Sequence, residues 1–142
     1  MRRTLLAGLL LILTTGQSIA DSVRISDTSS TRIAQRFRSI LDTSGMNGVG
    51  RDILDCYNNN LNNFSALKEC VVYDYAALIV DRMMVRLFTA QGVDATPAAL
   101  FTDRVFDTRQ DTYGRIAFRG ARQDLKAIKA NAQKIVEKVM PR

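Results

Sequence analysis

Apolar positions recur at three- and four-residue spacing from about residue 30 to residue 139, the period of helices with one buried face. Ile33, Phe37, Ile40 and Leu41 define the first such face and predict a helix over 30–42, capped by Ser29 or Ser30. Thr43, Ser44 and Gly45 stop it, and Gly45, Gly48 and Gly50 form a link. A short helix over 50–60 buries Ile53, Cys56 and Tyr57. Asn58, Asn59, Asn60, Asn62 and Asn63 then crowd around Leu61. Asparagine competes for backbone hydrogen bonds, so this cluster predicts a turn.

A third helix starts at Asn63 or Ser65, runs to about Ala90 and ends at Gly92. Its stretch Cys70 to Val80 is apolar except for Asp74, the pattern of a central core helix. Asp74, Asp81, Arg82 and Arg86 fall within one span length and exclude a membrane crossing. Thr96 followed by Pro97 predicts the start of a fourth helix over 97–110, with Leu100, Phe101, Val105 and Phe106 inward. A final helix is predicted over 115–139. No strand pattern emerges. The expected fold is all-α, a small bundle of four to five helices.

The first 20 residues follow a different logic. Arg2 and Arg3 precede the apolar run Leu5 to Leu13, and Ser18 and Ala20 sit where a signal peptidase reads small residues. The run is far shorter than the ~20 apolar residues of a membrane span. Residues 1–20 are therefore expected to be a cleavable signal peptide, 21–29 a flexible leader, and 30–142 a single helical domain. The location expected is periplasmic or secreted, with no integral membrane segment after cleavage. Both cysteines lie in the exported part, where disulfides persist. Cys56 and Cys70 flank the asparagine turn, so a bond between them staples a helical hairpin. A Cys-x-x-Cys redox spacing is absent.

Charge changes the picture at one end. Residues 21–111 carry 10 basic and 12 acidic side chains, whereas 112–142 carry 8 basic and 2 acidic. Arg115, Arg119, Arg122, Lys126 and Lys129 form a basic stripe on the predicted final helix. Beside it Phe118, Ala121, Leu125, Ile128, Ala132, Ile135 and Val139 form a heptad-type seam. The seam docks on the bundle or pairs with a second copy as a homodimer. The stripe is a solvated flank or a site for an anionic partner, namely an envelope polyanion or an acidic protein. Nucleic acid is not expected, since no aromatic residues interleave with the stripe.

The chain contains no histidine. Ser-His and Cys-His nucleophiles are thereby excluded, and two cysteines alone do not complete a metal site. No cofactor motif is present, so no catalytic residue, metal or cofactor is assigned. Asp74 and Asp81 share a helix face about 10.5 Å apart along the axis. A carboxylate in an apolar helix needs a partner, and Arg36, Arg38 and Arg104 are the candidates for Asp74. The function expected is that of an exported helical binding protein with an unidentified protein or polyanion partner. The alternative is a small envelope hydrolase using Asp or Glu carboxylates. That alternative requires a concave site at Asp74 or at Glu69, which with Glu137 completes the glutamates of the chain.

Overall fold

The computed structural model describes residues 24–119 and 123–140. The expected signal peptide lies outside the described residues. The fold is all-helical, with Cys56 and Cys70 bonded across two helices. Helix α1 (Asp27–Asn59) is followed by α2 (Phe64–Ala90), a 3-10 turn (Ala99–Phe101), α3 (Asp103–Arg109), a π-helical segment (Gln110–Gly114), α4 (Arg115–Ala117) and α5 (Leu125–Val139).

Helix α1 begins three residues before the expected helix, because Ser26 rather than Ser29 or Ser30 is the cap. The Ser26 hydroxyl accepts the Ser29 N–H at 3.0 Å. Ser29 is thereby freed to donate its hydroxyl to Glu69 at 2.8 Å. Ile25, placed by sequence in a flexible leader, is buried in the core. The expected glycine link is a single break, at Gly45, whose φ of 62° and ψ of −169° kink α1 into two arms. Gly48 and Gly50 stay helical, so the first two expected helices are one kinked helix. A Cβ at Gly45 would meet nothing within 4 Å, so the backbone angle alone requires glycine. Gly45→Ala is expected to destabilise the fold by roughly 1–3 kcal/mol, the cost of holding an L residue in a positive-φ region that is essentially glycine's alone. A urea titration measures it, and an unchanged midpoint contradicts it.

Asn63 caps α2, accepting the Ala66 N–H at 3.1 Å, and Gly92 with φ 79° follows its end. As the apolar run predicts, α2 is central. Leu67, Cys70, Val71, Val72, Ala76, Ala77 and Val80 are fully buried, between α1 on one side and α5 on the other. Phe37 of α1 and Tyr73 of α2 meet at 5.6 Å between ring centroids.

The connection after α2 departs from expectation. Thr96 and Pro97 do not open a long helix. The N–H of Ala98 is held by Asp81 at 3.1 Å, with Ala98 extended at φ −59° and ψ 147°. Only a 3-10 turn follows, and α3 starts after Thr102. Val105, expected inward, is exposed. The predicted helix 115–139 is likewise two pieces. Phe118 leaves helical geometry at φ −107° and ψ 32°, pinned at 5.5 Å under Lys68. Asp124 then caps α5 afresh by accepting the Ala127 N–H at 3.1 Å. The seam residues Ile128, Ala132, Ile135 and Val139 are buried against α1 and α2, so that part of the seam is used within the chain. Leu125 is exposed, and Ala121 lies outside the described residues.

Candidate functional site

Three polar constellations stand out. The first is sealed in the core. Asp74 is fully buried and receives four hydrogen bonds. Arg109 donates from Nε to Oδ2 and from Nη2 to Oδ1, both at 2.7 Å. Gln110 Nε2 donates to Oδ2 at 2.6 Å and Tyr57 Oη at 3.0 Å. The remaining Arg109 terminus reaches the Leu100 carbonyl at 2.8 Å, and its guanidinium lies 5.6 Å and 5.7 Å from the rings of Phe101 and Phe106.

The partner of Asp74 is therefore none of the expected arginines. Arg36 is committed to Asp52, and Arg38 and Arg104 point to solvent. Arg109 was partly legible, since it follows Phe106 by three residues and so lies on the same helical face. Gln110 was not. It reaches Asp74 from the first residue of the π segment, where a wider turn also lays Tyr113 flat on Tyr57 at 4.2 Å. Burial and then the Asp74 charge push the Tyr57 phenol well above its ordinary range. Burial alone would lower Arg109, but the hydrogen bonds and charge of Asp74 more than offset it and leave the guanidinium raised. With Asp74 wholly covered, this cluster is closed to a substrate.

The second constellation opens to solvent beside the disulfide, as a cleft of about 320 Å³. Arg32 and Arg36, one turn apart on α1, face Glu69 and Tyr73 of α2 across it, and Cys56 and Asn60 form one end. Arg32 bonds Glu69, and Arg36 makes a two-point contact with Asp52, from Nε at 2.8 Å. The Tyr73 hydroxyl donates to the same Asp52 carboxylate at 3.1 Å. Burial, then the Asp52 charge, raises the Tyr73 phenol. Among the described residues Glu69 is the only carboxylate lining this cleft, and Ser29 and Arg32 already occupy it. The pair of opposed carboxylates that glycoside hydrolysis uses is not assembled here.

The third constellation lies at the other end of α2. Met84, Val85 and Phe88 form one wall of an open groove of about 540 Å³, and Met46 and the Ala95–Ala99 segment form the other sides. Phe88 is 40% exposed, and Leu87 and Val93 beside it are each 52% exposed. Asp81 lines this groove and is 3% exposed. Its Oδ1 accepts from Ala98, while its Oδ2 has no hydrogen-bond partner. Asp81, expected in an ion pair, has none among the described residues, since the adjacent Arg82 turns outward to Asp103 at 2.6 Å. Asp74 and Asp81 thus share a helix face and burial but not a role.

Burial raises the Asp81 pKa, with the Ala98 N–H and then the Arg82 charge pulling it back. Between the ordinary carboxyl range and this raised value the folded chain binds more protons than the unfolded one. Stability contributed by neutral Asp81 is therefore lost as pH rises through that window. Asp81→Asn keeps an acceptor for Ala98 and removes the charge. It is expected to stabilise the protein by roughly 1 kcal/mol at neutral pH, with the gain shrinking as pH falls towards 4. Melting curves at several pH values check this, and a gain that grows on acidification contradicts it.

The predicted basic stripe is interrupted. Arg115 opens α4 and Arg119 follows it, Arg122 lies outside the described residues, and Lys126 and Lys129 start the outer face of α5. On that face Lys126, Lys129, Lys134 and Lys138 are exposed, with Glu137 among them. No group of three or more His, Cys, Asp or Glu among the described residues is placed to hold a metal ion. None of the described helices is long and apolar enough to cross a membrane. No family model matches the chain, and no match is found among curated proteins or solved structures.

Proposed function

We propose that this chain is an exported binding protein that seats a partner polypeptide on the apolar end of its bundle rather than catalysing a reaction. The carrying observation is the groove walled by Met84, Val85 and Phe88, continued by exposed Leu87 and Val93. Large apolar side chains exposed beside a groove mark an interaction surface. Burying them on a partner contributes roughly 25 cal/mol per Å² of apolar surface removed from water. The sequence of residues 1–20 supports action outside the cytoplasm.

A photo-crosslinking residue at position 88 tests this, with position 129 as control. The expected result is one protein adduct from position 88, none from 129, and loss of binding on Leu87→Asp with the helical signal retained. Adducts from 129 alone, or capture of polysaccharide or lipid, overturn the groove reading. Those outcomes favour a second reading, an anionic envelope partner on the α5 lysines, supported by exposed Lys126, Lys129, Lys134 and Lys138.

A further inference from the structure

The groove also takes in a carboxylate. Among the described residues Asp81 is the only charged one lining it, and no cation pairs with it. One carboxylate oxygen is spent on the Ala98 N–H, and the other is buried without a partner. Leaving a buried acceptor unsatisfied is costly, so such an atom is uncommon and calls for a reason. A purely structural task does not need it. The tether to Ala98 requires one acceptor, which an asparagine supplies without the charge.

We infer that the groove is selective for a polypeptide segment in which a lysine or arginine sits between apolar residues, its cation taken by the free oxygen of Asp81. The inference rests on the proposed docking at this end of the bundle and names its occupant. Apolar flanks of the segment cover Met84, Val85 and Phe88, while the cationic head supplies the hydrogen bond that Asp81 lacks. A long aliphatic stem with a charged tip suits this division, because the stem packs along apolar surface and the tip reaches the carboxylate. Oδ2 is buried. Met84 is half-buried on the wall one turn from Asp81, and its unbranched side chain can swing aside to admit the tip. A cation paired in this dry setting forms a charge-assisted bond, which is stronger than a neutral one.

Panning the oxidised protein against a randomised peptide display library tests the inference. The parent and Asp81→Asn proteins are panned in parallel, with helical content checked by circular dichroism. Peptides selected by the parent are expected to carry Lys or Arg flanked by apolar residues. Asp81→Asn is expected to keep the apolar preference and lose the cationic one. For one selected peptide, replacing its Lys by Gln is expected to weaken binding about tenfold to the parent and not at all to Asp81→Asn. Apolar selection without a cation, or a cationic preference that survives Asp81→Asn, overturns the inference and leaves groove docking standing. Selection of no apolar peptide, or selection unaffected by Phe88→Asp, overturns the docking reading and the inference with it.

Discussion

Arg109→Met is expected to destabilise the bundle by about 3–5 kcal/mol, because it strands a fully buried carboxylate. Asp74 would keep only the neutral donors Tyr57 and Gln110, and the Leu100 carbonyl would lose its partner. Methionine fills the slot between Phe101 and Phe106, so little of the loss comes from packing. Adding Asp74→Asn removes the stranded charge while leaving an oxygen for Tyr57 and Gln110. The double variant is therefore expected to recover a large part of the loss. Urea unfolding of parent, singles and double gives the coupling, expected at about 2 kcal/mol or more for two residues joined in one buried network. Strictly additive losses would show that the pair is not an energetic unit.

Cys56→Ser with Cys70→Ser is the second large effect, a loss of about 3 kcal/mol from reopening a short loop in the unfolded chain. The bond joins the last turns of α1 to the first turns of α2, with Cα atoms 5.8 Å apart. The hairpin is held by other contacts too, since Tyr73 of α2 donates to Asp52 of α1 at 3.1 Å and Tyr57 of α1 donates to Asp74 of α2 at 3.0 Å. The double variant is thus expected to fold with its helical content intact and a lower unfolding midpoint. Reductant should lower the parent's midpoint and leave the variant unmoved. A reductant effect on the variant would place the stabilisation elsewhere.

Local signals carried much of this fold. The asparagine turn, the cap at Asn63, the apolar run through α2 and the cysteine staple could all be read from neighbouring residues, because spacing and turn chemistry determine each of them. Two of the misreadings come from contacts distant in sequence. Thr96 and Pro97 carry a strong helix-start signal, but a carboxylate 17 residues earlier holds the Ala98 N–H and keeps that segment extended. The heptad seam runs through 118–139 without interruption in sequence, yet Phe118 turns aside under Lys68 and Asp124 restarts the helix. The stripe of basic residues was legible only as residue types. Whether it forms one face depended on that break. The groove had no sequence signature, since Met84 and Phe88 fall inside the predicted third helix and Pro97 at the predicted start of the fourth.

The burial of the phenols also bears on how this protein meets alkali. The chain has four tyrosines and no tryptophan. Tyr57, Tyr73 and Tyr75 all have their ionisation pushed upward, by burial first and then by neighbouring carboxylates. Each keeps its proton in the bundle and releases it in the open chain near the ordinary phenol value, around pH 10. Alkali therefore draws the equilibrium towards the open chain. Phenolate absorbance near 295 nm would then rise in a steep, cooperative step, with the tyrosines themselves as the intrinsic reporter of global unfolding.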